Sequence, residues 1–228
     1  MLALKLRLQP IAHLLATHRQ LLAVMLGSFL AVGLLAGRIV ANRDIIFAFM
    51  TWNLFLAWLP YLAALWAQRL DRRHPTRWVF LLAPGLLWLV FFPNAPYIMT
   101  DLWHLSERLP IPLWYDLGML SAFALTGLFL AVFSLQIMQR LVRRYTGGLL
   151  SWAFVGAALF LGGLGVYMGR FLRWNSWDLL FHPEDIVTEV IVRLASPLTY
   201  PRTYGVTLVF AAILLVCYLA VTPREPAG

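Results

Sequence analysis

The chain has 228 residues, 61% of them hydrophobic and only 12% charged, with mean hydropathy +0.77 and formal net charge +8. A water-soluble domain of this size has more surface than so few charges can cover, which excludes an aqueous globular protein. The basic residues sit in short clusters between apolar runs, where membrane topology requires them, so the charge makes no case for a nucleic-acid partner.

In chain order, residues 1–19 form a basic, partly apolar segment that Pro10 is expected to break. It suits an anionic membrane surface. Six stretches free of Asp, Glu, Lys and Arg follow, over 20–37, 45–68, 78–100, 117–139, 145–169 and 203–223. A spanning helix needs about 20 apolar residues. The pattern predicts an all-α polytopic integral membrane protein: one transmembrane domain of six helices over 20–223, then a tail over 224–228. The first run reads as a retained helix, because no small-residue cleavage site closes it before Arg38. The compact arginine clusters over 69–77 and 140–144 orient the chain by the positive-inside rule, with both termini cytoplasmic in a bacterial cytoplasmic (inner) membrane. The single cysteine, Cys217, excludes an intramolecular disulfide.

The third run is unusual. From Trp78 to Phe92 it covers only about 22 Å at helical rise, less than the roughly 30 Å hydrocarbon core. Pro93 and Pro96 then remove two backbone donors and disfavour helix in the residues before them. The third span, 78–92, is therefore expected to break near membrane depth, where irregular backbone must be buried or line a wet cavity. A plain turn leaving the membrane is the other reading. Asn94 would cap a resumed helix, and Tyr97, Asp101 and His104 would share one face of it.

The fifth run carries Ala158, Gly162, Gly165 and Gly169, a smooth face for close helix packing. Asn53, in mid-membrane, is expected to make an interhelical hydrogen bond. Residues 183–194 read as an outer amphipathic helix, lying on the surface or capping the bundle. Arg193 on that helix is expected to be dispensable for stability. Trp174 and Trp177 fit an interfacial aromatic belt.

Polar chemistry collects at the outer end. Asp101, His104 and Asp116 are the candidates for acid–base catalysis. Arg170 and Arg173 have the form of an anion clamp, with Asn94, Tyr97, Asn175 and Asp178 as further substrate-binding candidates. Arg170 lies too near hydrocarbon to stay unpaired, so Asp101 or Asp116 is its expected partner. Asp101 and His104 supply two metal ligands, fewer than a site needs, so no metal is predicted. No string identifies a cofactor, a nucleophile elbow, a zinc helix motif or a phosphate loop.

Three strings, Trp52-Asn53-Leu54-Phe55-Leu56-Ala57-Trp58, Phe92-Pro93-Asn94-Ala95-Pro96-Tyr97 with Thr100-Asp101-Leu102, and Arg170-Phe171-Leu172-Arg173-Trp174-Asn175-Ser176-Trp177-Asp178, resemble the signature of a bacterial membrane family, domain of unknown function 1361. The resemblance covers roughly residues 44–218 and implies a multi-pass membrane protein, with no activity attached. Three classes of function stay open: binding or processing of a lipid or lipid-linked anionic substrate at the extracytoplasmic face, small-solute transport, and a non-enzymatic structural or accessory role in the envelope. The partners expected are the lipid bilayer and a lipid or anionic small-molecule ligand.

Overall fold

The computed structural model describes residues 2–75, 77–106 and 110–222, with side chains from residue 18 onward except at residue 180. Helix α1 spans Leu2–Asn42 and α2 spans Phe49–Arg73. The third membrane segment is composite: a 3-10 turn over Trp78–Leu81, α3 over Leu82–Phe91, α4 over Asn94–Tyr97 and a 3-10 stretch over Ile98–His104. Then come α5 (Leu113–Thr146), α6 (Gly148–Tyr167) running into a π-helical turn over Met168–Leu172, α7 (Asp178–Phe181), α8 (Pro183–Ala195) and α9 (Pro201–Val221). Among the described residues six helical segments are long and apolar enough to cross a bilayer: His18–Asn42, Phe49–Arg73, Trp78–His104, Leu113–Thr146, Gly148–Leu172 and Pro201–Val221. The protein is an all-α, multi-pass membrane protein.

Helix α5 is the axis of the bundle. It packs against α1, α2, the composite third segment, α6 and α9, and has the largest buried share of the six spans. Large apolar side chains such as Phe29, Leu86, Leu149 and Val216 point outward, as a surface solvated by acyl chains requires. At one end, which carries the arginine clusters, the buried carboxylate of Asp71 accepts hydrogen bonds from Arg144 at 2.6 Å and Tyr145 at 2.6 Å, tying α2 to α5. The opposite end holds the polar groups singled out above.

Several sequence expectations need correction. The backbone is helical straight through Pro10, because α1 runs unbroken from Leu2. A proline inside a helix costs one hydrogen bond, and the leucines and alanines around it favour helix. The third segment breaks more softly than expected. Pro93 keeps helical angles (φ −61, ψ −23), and the chain stays helical to His104, tightening to 3-10 geometry from Ile98. Asn94 is not a helix cap: its amide donates to Phe91 O at 3.1 Å and to Ser176 Oγ at 2.7 Å. Helix α5 starts at Leu113, so Asp116 lies inside its first turn. Arg193 is no inert surface cation. It pairs with Glu189 and lies 4.6 Å over the Tyr200 ring.

The glycine face of α6 explains how the composite segment is seated. A Cβ on Gly165 would stand 2.5 Å from Pro93, one on Gly162 2.8 Å from Phe92, and one on Gly169 3.1 Å from Tyr97. Each of these glycines therefore receives one residue of the break. Removing side chains from α6 lets a segment too irregular for ordinary ridge packing come close.

Candidate functional site

Asp101 is the centre of the site. It falls in the 3-10 stretch, is 1% exposed, and lies within the third membrane segment. Asn53 of α2 donates to its Oδ2 at 2.9 Å. Arg170, on the π-helical turn that ends α6, brings Nη1 within 3.5 Å of Oδ1. That oxygen accepts no hydrogen bond. His104 follows at i+3, the repeat of a 3-10 helix. Its Nδ1 lies 3.9 Å from Asp101 Oδ1, 3.2 Å from the Asp101 carbonyl and 3.5 Å from Arg170 Nη2. The guanidinium of Arg170 also lies 5.4 Å over the ring of Trp103, and Phe49 packs 5.3 Å from the His104 ring.

The local geometry has identifiable causes. A π turn adds one residue to the helical repeat, and Arg170 stands in this one, within reach of Asp101. The turn ends at Arg173, a non-glycine residue with φ 62, which stops the helix and starts the return loop. Such strain is held only where its surroundings enforce it, and it occurs often at functional positions.

Beside this cluster lies a cavity of about 110 Å³. Asn53, Asn94, Tyr97, Asn175 and Ser176 contribute polar groups to it, and Trp52, Trp174 and Trp177 contribute rings. Asn53 touches both the cavity and Asp101, so the two are neighbours. Trp52, on α2, is half exposed.

Of the candidates named from sequence, Asp101, His104 and Arg170 come together, and Asn94, Tyr97 and Asn175 line the adjoining cavity. Asp116 does not join them. It is held by Arg38 of α1, with Nε at 2.7 Å from Oδ1 and Nη2 at 3.2 Å from Oδ2, both residues 1% exposed. Arg170 therefore chose the other of its two expected partners, because Asp116 was already fully engaged. Asp178 turns back on its own loop to accept from the Asn175 backbone at 2.7 Å. Arg173 is exposed and makes no side-chain hydrogen bond or ion pair among the described residues. Of the two arginines named from sequence, Arg170 thus lies in the cluster and Arg173 is exposed outside it. Among the described residues no three His, Cys, Asp or Glu side chains gather into a metal-binding group.

Sequence reasoning missed Arg38 as a buried partner, Ser176 as the anchor of Asn94, and the tryptophans as cavity walls. Arg38 had one available signal: it interrupts an apolar helix only a few residues from Asp44. The cavity walls come from separate elements and had none.

The fold and site define a polytopic α-helical membrane protein with a buried carboxylate–guanidinium cluster and an adjacent cavity at one end of the bundle. Residues 52–217 match the family described as "Protein of unknown function (DUF1361)", and the chain belongs to that family. It is also similar to lysoplasmalogenase TMEM86A of Homo sapiens, 28% identical over 205 residues, with 75% of this chain and 85% of the relative covered. The Bos taurus lysoplasmalogenase TMEM86A is likewise 28% identical, over 207 residues with the same coverage. No solved structure matches.

Proposed function

We propose that this chain binds and hydrolyses a single-chain membrane lipid with an anionic headgroup, at the end of the bundle that holds Asp101. One observation carries the reading. The Asp101 carboxylate is buried in a membrane-spanning segment, is held from two other helices by Asn53 and Arg170, and keeps one oxygen without a hydrogen bond. Ionisable groups at membrane depth are functional positions by default. The similarity to proteins named lysoplasmalogenase supports a single-chain phospholipid as the substrate class.

The chemistry follows from the residues. Arg170, with Arg173 at the rim, neutralises the headgroup anion. For an acyl chain, Asp101 takes a proton from the water that attacks the ester carbonyl, the acyl C–O bond breaks, and the glycerol oxygen takes that proton through His104. For a vinyl ether the proton goes first to the alkenyl carbon, water adds at the carbon next to oxygen, and the C–O bond breaks to release an aldehyde and the glycerol hydroxyl. Asn53 holds the carboxylate in place. In this reading the site faces the extracytoplasmic side of a bacterial cytoplasmic membrane with both termini inside, as the arginine clusters over 69–77 and 140–144 suggest. A topology reporter fused after Arg144 that reads outside would overturn that orientation.

The test is turnover by the purified protein in nanodiscs, with a lysoplasmalogen and an acyl lysophospholipid as substrates and mass spectrometry of the products. The parent is expected to release headgroup or chain product, and Asp101→Asn to release none while still folding. Equal turnover by the two proteins, or none by the parent, sinks the hydrolytic reading.

A further inference from the structure

The cavity beside Asp101 contains no charged side chain. Its walls include Trp52 and Trp177, with ring centroids 6.5 Å apart and planes at 57°. Beside these rings the lining supplies neutral polar groups with unused hydrogen-bonding capacity. Asn53 spends its amide nitrogen on Asp101 and keeps its carbonyl. Asn94 spends its amide nitrogen on Phe91 O and Ser176 Oγ and keeps its own carbonyl. Ser176, accepting from Asn94, retains a proton to donate. The Tyr97 hydroxyl makes no hydrogen bond among the described residues.

Three amide carbonyls, of Asn53, Asn94 and Asn175, and two hydroxyls beside aromatic rings match a ligand whose own groups both donate and accept, which is the property of alcohols. The rings cover the C–H side of such a group. Ring faces also attract cations, but no carboxylate is among the described residues that line the cavity. Asp101 is bound by Asn53 and Arg170, and Asp178 by Asn175. The Arg170 guanidinium next to the cavity repels an ammonium group. In size, 110 Å³ is of the order of the roughly 150 Å³ void that takes a benzene ring, enough for a group like glycerol.

We infer that this cavity is a headgroup subsite for a neutral polyhydroxyl end, of the glycerol kind, on a lipid whose phosphate faces Arg170. The inference rests on the proposed function for the lipid and its phosphate, and adds what selects the headgroup. It makes Tyr97, Asn94 and Ser176 specificity residues, with no part in bond cleavage.

The experiment is binding, separate from turnover. Lysophosphatidylglycerol, lysophosphatidylethanol and lysophosphatidylcholine of equal chain length are titrated into the full-length protein in phosphatidylcholine nanodiscs. Lysophosphatidylethanol has the charge of the glycerol lipid without its diol. The glycerol lipid is expected to bind about tenfold tighter than both others, the effect of one or two well-placed hydrogen bonds. Tyr97→Phe should reduce that preference to under about threefold with unchanged melting, and Ser176→Ala should reduce it as far with a lowered melting temperature, because the Asn94 amide loses its acceptor. Tyr97→Phe removes only a hydroxyl without a partner, so it remains a fair test if Ser176→Ala fails to fold. Equal affinities for the glycerol and ethanol lipids, tighter binding of the choline lipid, or a preference that survives both substitutions overturns the subsite. A diol preference without any hydrolysis leaves the subsite standing and removes the enzyme, and hydrolysis without a diol preference does the reverse.

Discussion

Two arginine–aspartate pairs stand at the same end of this bundle, and they are built differently. Arg38 and Asp116 meet through two hydrogen bonds, 2.7 and 3.2 Å, with both side chains withdrawn from solvent, and Phe47 covers the guanidinium at 4.6 Å. Arg170 and Asp101 approach only to 3.5 Å, the arginine is 16% exposed, and the carboxylate shares its surroundings with His104, Asn53 and a cavity. The first geometry is closed and satisfies nearly all its groups. The second leaves an acceptor unused beside space for a ligand. Charge in a membrane protein is thus no guide to role by itself; bond geometry and neighbouring space separate a structural pair from a candidate site.

Substitutions can break or sharpen this contrast. The largest effect is expected from Arg38→Ala, which strands the Asp116 carboxylate in a buried position. Removing one partner of such a pair costs about 3–5 kcal/mol, so the variant should melt far below the parent in detergent or fail to accumulate. A parent-like melt would erase the distinction between the two pairs. Next comes Gly165→Ala, whose methyl would collide with Pro93 at 2.5 Å. Overpacking there should cost about 1–3 kcal/mol. Gly156→Ala, which meets open space on the same helix, should stay within about 0.5 kcal/mol in the same melting assay.

Asp101→Asn should be milder still, about 1 kcal/mol, because the 3.5 Å approach of Arg170 makes no hydrogen bond that would be lost and an asparagine keeps an oxygen for Asn53. Asp116→Asn, measured side by side, should cost clearly more, and a reversed order would mean the Asp101 pair is the structural one. The smallest effect on stability is expected from Arg173→Ala, under about 0.5 kcal/mol for an exposed side chain. Its binding signature should be electrostatic. Affinity for an anionic lysolipid should fall about threefold at low salt and not at all at high salt, where an exposed charge is screened. Salt-independent loss would place Arg173 inside the pocket.

By itself the sequence determined the solvent, the number of spans and the end of the molecule where polar groups collect. Those properties follow from run length and composition, because a hydrocarbon core accepts only long apolar helices. It also marked 93–96 as a break and the α6 glycines as a packing face, since proline and glycine act locally on backbone and bulk. Tertiary structure alone decided that the break rests on those glycines, that Arg170 meets Asp101 while Arg38 takes Asp116, and that Asn53 holds the site carboxylate. Each of these joins residues 48 to 78 positions apart, through contacts of a few ångströms. The rotation of one helix against another sets such contacts, and a one-dimensional pattern of apolar runs does not encode that rotation.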